Sequence, residues 1–223
     1  SLQRNHQKII EEAPSSALSE ELRKEMGETA VRAAKAAGYE NAGTIEFLLE
    51  KTGKYYFMEM NTRIQVEHPI TENITGIDIV KEQIKIAQGE KLPFTQNEIE
   101  IKGHSIECRI NAENPEENFR PSPGKITEMH FPGGNGVRVD SAIFTGYEVT
   151  PYYDSMLAKL IVYGDNRQEA INKMRSALGE VVIEGIDTNI DYEYEIINNE
   201  KFISGDFDVD FIEQFNKQRR AVS

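Results

Sequence analysis

The clearest pattern of hydrophobic and polar positions lies in the first third of the chain. Two runs of apolar and aromatic residues flank Thr52-Gly53, and a glycine in a short connection between such runs is typical of a β-hairpin. If Thr52 and Gly53 form a two-residue loop, Lys51 pairs with Lys54. This loop fixes the register of every residue further along both arms.

The predicted register brings two acidic residues together. Counting back along both arms puts Glu46 opposite Glu59, and Asn61 shares their face because side chains two residues apart on a strand point the same way. Opposed carboxylates repel each other unless something compensates. Two carboxylates and an amide are hard oxygen ligands, which predicts a site for Mg²⁺ or Mn²⁺. Two alternatives stay open: a surface hairpin with solvated glutamates, and a one-residue slip that separates the pair.

The polar pattern continues directly after the hairpin. Arg63, Gln65 and Glu67 follow at a spacing of two, so one side of an extended segment would present a cation, an amide and a carboxylate. Such a row can bind a small oxyanion and place a base beside it. His68 is interpreted as a loop histidine with a satisfied hydrogen bond.

The rest of the chain alternates between helical and strand periodicity. Lys91-Leu92-Pro93 is the best candidate boundary between two lobes. Two of the predicted helices, at 77–88 and at 166–182, have apolar positions at helical spacing, and each is predicted to bury that apolar face. The predicted elements are a helix from Ser19 to Gly38, a helix at 77–88, strands at 101–112, 125–130, 137–143 and 157–162, and helices at 166–182, 189–198 and 209–217. The residues predicted to be buried are Ile79, Val80, Gln83, Ile84 and Ala87 in the helix at 77–88, and Ala170, Ile171, Met174, Ala177 and Leu178 in the helix at 166–182.

Two further polar groups stand out. Residues 1–13 are interpreted as a polar strand or loop in which alternation would put His6 and Lys8 on one face, where they could meet phosphate or bicarbonate. Glu107 and Arg109 share one strand face, opposite Cys108. Taken alone, a Glu-x-Arg pair of this kind indicates a surface ion pair.

Composition narrows the class of protein. The 223 residues carry a net charge of −13, which argues against non-specific nucleic-acid binding, and their 39% apolar content is enough for a core. The single cysteine, Cys108, excludes an internal disulfide and fits a reducing, cytoplasmic compartment. No run of about 18 apolar residues is present, so no membrane partner is expected. The chain begins without methionine, which suits a fragment or a processed protein.

The segment Glu59-Met-Asn61-Thr-Arg63-Ile-Gln65-Val66-Glu67-His68-Pro69 resembles the active-site signature of biotin carboxylase, an ATP-grasp ligase, and Glu107-Cys108-Arg109-Ile110-Asn111 resembles a second motif of that family. The similarity covers essentially the whole chain, without the family's N-terminal lobe and glycine-rich lid. The implied fold class is α+β: the C-terminal half of an ATP-grasp domain, an antiparallel sheet with helices, in residues 1–93, then a biotin carboxylase C-terminal α+β domain in residues 94–223.

The resemblance also implies a reaction, the ATP-dependent carboxylation of biotin with bicarbonate through carboxyphosphate. It implies ATP, two Mg²⁺ or Mn²⁺ ions, and biotin as carboxyl acceptor. The implied residues are Arg63, Glu67 and Arg109 for catalysis; Gln3, His6, Glu46, Leu48, Glu59 and Val209 for the nucleotide and its metal; Lys8, Arg63, Gln65, Val66, Glu67 and Arg109 for substrate; and Glu46, Glu59 and Asn61 for metal.

Partners are implied in the same way. They are a biotin carboxyl carrier protein, a carboxyltransferase component, a second copy bound through the C-terminal domain, and the missing N-terminal half of the enzyme. Acetyl-CoA carboxylase of fatty acid biosynthesis is one possible parent, and the final acceptor, whether acetyl-CoA, another acyl-CoA or pyruvate, stays open. The remaining alternatives are a carbamoyl-phosphate synthetase-like or other ATP-grasp ligase, and a non-catalytic assembly domain.

Overall fold

The computed structural model describes residues 1–222, with side chains described through residue 221. The chain forms two compact units. The sheet unit consists of Ser1–Ala13 together with the chain from Lys102 onward, and the hairpin unit consists of Pro14–Ile101. The first thirteen residues therefore pack with the later part of the chain. The compact units are not the predicted family domains, and the domain boundary at residue 93 stays a prediction.

The strands are numbered in chain order. They are β1 (Leu2–Arg4), β2 (Gln7–Ala13), β3 (Thr44–Leu49), β4 (Tyr55–Asn61), β5 (His104–Asn111), β6 (Glu113–Asn114), β7 (Arg120–Pro121), β8 (Gly124–Lys125), β9 (Glu128–His130), β10 (Val137–Ser141), β11 (Glu148–Val149), β12 (Met156–Gly164) and β13 (Val182–Glu184). The α-helices are α1 (Glu20–Ala36), α2 (His68–Thr75), α3 (Ile79–Ala87), α4 (Arg167–Glu180), α5 (Ile190–Ile197), α6 (Glu200–Ser204) and α7 (Phe211–Val222). The fold class is α+β, as predicted.

An antiparallel sheet with the order β1-β2-β5-β12-β10 forms the centre of the sheet unit. Its inner face is apolar because Ile106, Cys108 and Ile110 alternate along β5 with polar residues, and all three are fully buried. Helix α4 packs against β5 and β12. The five α4 residues predicted to face inward are all buried. They are Ala170, Ile171, Met174, Ala177 and Leu178.

A buried ion cluster ties the N-terminal strand into this unit. Oε2 of Glu12 on β2 lies 2.8 Å from Nε2 of His104 on β5 and accepts a hydrogen bond of 2.7 Å from Nε of Arg167, the first residue of α4. The same guanidinium donates to the carbonyl oxygens of Phe202 and Ile203, each at 2.7 Å. One arginine therefore joins β2, α4 and α6 and satisfies a carboxylate whose side chain is only 5% exposed.

In the hairpin unit, β3 and β4 pair antiparallel and α1 is attached to β4. Ser19 caps α1 as predicted, accepting from the backbone N–H of Leu22 at 3.2 Å. The Tyr55 hydroxyl donates to Oε1 of Glu25 at 2.9 Å and lies 3.0 Å from Oγ1 of Thr29. These contacts attach one face of the helix to the strand that carries Glu59.

In the hairpin unit one helix prediction is wrong and one helix was missed. The apolar face of α3 is not buried, since Val80 is 43% and Ile84 is 57% exposed. Periodicity identifies an apolar face but not the element that covers it. Residues 68–75 form a helix of their own that the sequence pattern did not predict, with Pro69 in its first turn and Gly76, at φ 71°, ending it. Helix α6 in the sheet unit was also missed.

The Glu12 cluster makes a stability prediction. Replacement of Arg167 by Met leaves a buried carboxylate without its strongest partner, so the free energy of unfolding should fall by about 3 kcal/mol. Urea denaturation followed by circular dichroism measures this. Lys217→Met is the matched control, because it removes an exposed ion pair with Glu213 and should change stability by less than about 0.5 kcal/mol. Equal effects of the two substitutions would contradict the structural role of the cluster.

Candidate functional site

The register of the β3–β4 hairpin places Glu46 directly opposite Glu59. This pairing was predicted, but the predicted loop was wrong. The loop has three residues between Glu50 and Lys54, whose backbone atoms are joined by a 2.8 Å hydrogen bond. Gly53 sits in it at φ 83°, the left-handed position that a three-residue hairpin loop requires.

A β-bulge restores the predicted pairing. Glu46 pairs with Glu59 but Phe47 pairs with Phe57, so Met58 is an extra residue in β4. The three-residue loop shifts the register by one, and the bulge shifts it back. Bulges commonly re-aim side chains next to functional sites. The two glutamates therefore face each other because two departures from a regular hairpin cancel.

Asn61 joins the two carboxylates. Its Nδ2 donates to Oε1 of Glu46 at 3.2 Å and to Oε1 of Glu59 at 2.9 Å. Gln65 Nε2 also donates to Oε1 of Glu46. The predicted metal set is thus assembled in one place, with the amide between the two acids.

The loop after β4 presents the predicted cation. Arg63 is exposed, and its guanidinium donates to Oδ1 of Asn61 at 3.2 Å and to the carbonyl oxygen of Ile64 at 3.1 Å. His68 holds the loop, since its backbone N–H and its Nδ1 both lie within hydrogen-bonding distance of the Gln65 carbonyl oxygen, at 3.3 and 2.8 Å. The hydrogen bond expected for His68 is present, but His68 is the first residue of α2 and not a loop residue.

Glu67 occupies the N-cap position of α2 and is 9% exposed. A carboxylate at a helix N-terminus is stabilised by the helix dipole. Val66 precedes it in the same loop. Leu48, the residue predicted to border a nucleotide, is 53% exposed on β3. The hairpin unit therefore places six polar or charged side chains along one short path from β3 to α2, which are Glu46, Glu59, Asn61, Arg63, Gln65 and Glu67.

The donor set fits a divalent cation. Two carboxylates and an amide converge on one point, and Asn61 holds both acids at once. In the described residues no group of three His, Cys, Asp or Glu side chains is placed to hold a metal. The amide nitrogen of Asn61 faces the two acids and its oxygen accepts from Arg63, so metal ligation by Asn61 stays a prediction that requires the amide to rotate. Mg²⁺ commonly completes such a partial set with water and phosphate oxygens.

The sheet unit holds the other predicted residues. Gln3 and Lys8 lie opposite each other in the β1–β2 hairpin. His6 is not on a strand: with Asn5 it forms the tight turn, at φ 64° and 50°. The prediction that strand alternation puts His6 and Lys8 on one face is therefore wrong, because a two-residue turn interrupts the strand between β1 and β2. Val209 precedes α7 and is 86% exposed.

Arg109 lies on β5 beside Glu107. Its Nε is 3.8 Å from Oε1 of Glu107, which is fully buried, and its own side chain is 15% exposed. The expectation of an ordinary surface ion pair is therefore wrong. In the sheet register Lys159 of β12 lies opposite Arg109. Two cationic residues thus neighbour each other close to the core, where charge is little screened by solvent.

A buried polar group behind Arg109 was not predicted from the sequence. Asn189 and Glu193 are 2% and 0% exposed, and Nδ2 of Asn189 donates to Oε1 of Glu193 at 3.1 Å. Burial raises the pKa of Glu193 well above its ordinary value, and the nearby Glu107 and Glu113 act in the same direction against the lowering effect of hydrogen bonds from Cys108 and Asn189. Burial likewise raises the pKa of the Cys108 thiol. Burial therefore favours the protonated form of both groups, and Cys108 is not a reactive thiolate.

Comparisons with known proteins show which families the chain is similar to. Residues 107–214 match the family described as biotin carboxylase C-terminal domain, and residues 1–95 match the family described as carbamoyl-phosphate synthase L chain, ATP binding domain. Biotin carboxylase 1 of Bacillus subtilis is 56% identical over 97% of this chain, and the biotin carboxylase of a Nostoc species is 54% identical over 97%. The matched region is 48% of each of those relatives, so the chain spans a little under half their length.

Solved structures of biotin carboxylases are similar to this chain as well. The biotin carboxylase domain dimer of Hydrogenobacter thermophilus 2-oxoglutarate carboxylase, in complex with MgADP, ADP and bicarbonate, superposes with a TM-score of 0.94 at 50% identity, over 96% of this chain and 47% of that one. A Campylobacter jejuni biotin carboxylase–β,γ-ATP complex gives 0.92 at 48% identity, over 96% and 48%. Over nearly its whole length the chain is therefore similar to about half of a biotin carboxylase. None of the described helices is long and apolar enough to cross a membrane.

The opposed carboxylates lead to a metal-binding prediction. Glu59→Gln removes a like-charge contact, so the melting temperature in EDTA should rise by about 1–2 °C. The same change removes a metal ligand, so the rise in melting temperature that Mg²⁺ or Mn²⁺ produces should be lost. Differential scanning fluorimetry with and without each ion measures both effects. Glu40→Gln, at an exposed position of the same unit, is the control and should keep the metal-dependent rise. A full metal response in Glu59→Gln would contradict the site.

Glu193 predicts a pH effect on stability. Its pKa is higher in the folded than in the unfolded protein, so the folded protein binds more protons above the ordinary pKa of 4.5. The contribution of Glu193 to stability is complete below pH 4.5 and is lost as the pH rises towards the folded-state pKa. Glu193→Gln mimics the protonated acid and has no such loss. The difference in unfolding free energy, variant minus wild type, should therefore grow as the pH rises above about 5 in urea titrations. A difference independent of pH would contradict a raised pKa of Glu193 in the folded protein.

Proposed function

We propose that this chain supplies the metal and bicarbonate groups, and part of the nucleotide site, of an enzyme that carboxylates biotin with ATP and bicarbonate. The single observation that carries the proposal is the hydrogen-bonded set of Glu46, Glu59, Asn61, Gln65 and Arg63. It joins a divalent-cation donor set to an exposed guanidinium. The similarity to biotin carboxylases supports the same conclusion.

The polar residues of the candidate site have the following roles in this reaction. Mg²⁺ held by Glu46, Glu59 and Asn61 would neutralise charge on the ATP phosphates. Arg63 and Gln65 bind bicarbonate, since a guanidinium and an amide donate several hydrogen bonds to a planar oxyanion. The Val66 backbone and Lys8 complete the bicarbonate contacts, and Gln3, His6, Leu48 and Val209 belong to the nucleotide site.

Glu67 is the general base. It accepts the proton of bicarbonate while a bicarbonate oxygen forms a bond to the γ-phosphorus of ATP and the bond to ADP breaks. The product, carboxyphosphate, breaks into carbon dioxide and phosphate. Phosphate then takes the proton from the ureido nitrogen of biotin, and that nitrogen bonds to carbon dioxide. Arg109 stabilises the ureido anion, because its charge persists at every physiological pH.

The wider assignment belongs to the same proposal. Biotin is presented on a carrier protein, a carboxyltransferase uses the carboxybiotin, and a homodimer forms through the C-terminal domain. Mn²⁺ can replace Mg²⁺ at an oxygen donor set. A cytoplasmic location is supported by the single thiol, Cys108. Acetyl-CoA, another acyl-CoA and pyruvate are all compatible as final acceptors.

A carbamoyl-phosphate synthetase-like activity is the weaker candidate. The match of residues 1–95 is compatible with it, but residues 107–214 match a biotin carboxylase domain. ATP hydrolysis that depends on bicarbonate and is accelerated by free biotin separates the two activities. A non-catalytic assembly role would show neither effect in the full-length gene product.

Arg63 provides the direct test. Arg63→Ala in the full-length gene product should lower kcat for carboxylation of free biotin by about 10²–10³-fold, because one charged donor to the reacting anion is lost, while the KM for ATP stays unchanged. Coupled ADP release and ¹⁴C-bicarbonate fixation measure the two quantities. Arg23→Ala on α1 is the control and should keep wild-type rates. Full carboxylation by Arg63→Ala would contradict the assignment.

A further inference from the structure

The end of β5 lacks a strand neighbour on one side, at the position of Arg109. The ladder between β2 and β5 ends at Cys108. Beyond it, the side chain of Asn189 takes the place of a strand. Its Oδ1 accepts from the backbone N–H of Asn111 at 2.7 Å, and its Nδ2 donates to the carbonyl oxygen of Arg109 at 2.8 Å. The backbone N–H of Asn189 donates to the Asn111 carbonyl oxygen at 3.2 Å.

Asn189 is itself held in a single orientation. The amide oxygen and both amide hydrogens have partners, since Nδ2 also donates to Oε1 of the fully buried Glu193. The backbone N–H of Glu193 donates to the Asn189 carbonyl oxygen at 3.0 Å, at the start of α5. Rotation of the amide would break every one of these side-chain bonds inside the core. Asn189 therefore transmits the position of α5 to the backbone of β5.

We propose that Asn189 is a positioning residue for Arg109, fixing the backbone from the Arg109 carbonyl group to Asn111 so that the guanidinium meets the biotin ureido oxygen at the correct distance. The inference rests on the role proposed for Arg109 and extends it to a residue 80 positions away in sequence. Removal of the amide leaves the Arg109 carbonyl oxygen and the Asn111 N–H without these partners. The strand end is then free to move, and a displacement of about 1 Å at a reacting group can cost about 10²-fold in rate.

The neighbourhood of Arg109 makes its position sensitive. Glu107 lies 3.8 Å from its guanidinium, and Lys159 is its partner across the ladder to β12. A small movement along the strand therefore changes the balance between an attractive and a repulsive charge. Asn189 acts on Arg109 through the main chain.

A double-mutant cycle in the full-length gene product tests the inference. The variants are Asn189→Ala, Arg109→Met and the two combined. Asn189→Ala should lower kcat for biotin carboxylation about 10–100-fold with the KM for ATP unchanged. In the Arg109→Met background, Asn189→Ala should have no further effect on kcat, because the residue it positions is already absent.

Asn199→Ala is the matched control for loss of stability. Asn199 caps α6 in the same unit, accepting from the backbone N–H of Lys201 at 3.0 Å. This substitution should lower the melting temperature and leave kcat unchanged. Hydrogen exchange adds a readout that does not depend on activity: the Asn111 amide should exchange about tenfold faster or more in Asn189→Ala and at the wild-type rate in Asn199→Ala.

The outcomes separate the inference from the proposed function. A wild-type protein without biotin carboxylation contradicts the proposed function and the inference that rests on it. If the wild type is active and the losses of kcat from Asn189→Ala and Arg109→Met multiply in the double variant, the inference is contradicted and the proposed function is not. Unchanged exchange of the Asn111 amide, or a loss of kcat in Asn199→Ala as large as that in Asn189→Ala, also overturns it.

Discussion

The repulsion between Glu46 and Glu59 is the constraint around which the hairpin unit is arranged. Two carboxylates directly opposite each other on paired strands destabilise the hairpin, and here Asn61 and Gln65 donate to them. These amide donors stabilise the pair only partly, because each has no full charge. A divalent cation stabilises it better. The cost of placing the acids together is the physical basis of the metal site predicted here.

The sheet unit solves a different problem, which is to hold charged groups near a core. Glu12 is paired with Arg167 and lies against His104, whereas burial raises the pKa of Glu193 and favours its protonated form. The first solution ties distant elements together by ionic hydrogen bonds, and the second lowers the cost of burying an acid. Buried polar groups are tolerated only where their charge or their hydrogen bonds are satisfied in such ways.

Local patterns in the sequence predicted local structure well. All five buried positions of α4 follow from helical spacing, and Ser19 was recognised as a cap because its neighbours in sequence are its partners. The Glu46–Glu59 pair was also predicted, although the loop length was wrong by one residue and the bulge at Met58 compensated for it. His6 was placed wrongly because a turn of Asn5 and His6 carries no glycine, the usual signal for positive φ.

The residues that the sequence could not identify act across long separations. Asn189 reaches back 78 and 80 residues to the backbone of Asn111 and Arg109, and Arg167 reaches back 155 residues to Glu12. No periodicity or spacing encodes such contacts, since they depend on which elements pack together. A motif identifies the groups that meet the substrate because those groups lie within a few residues of one another. The groups that hold them in place are dispersed, and Glu193, an acidic residue in a helix of ordinary composition, becomes recognisable as part of the site only when its burial is known.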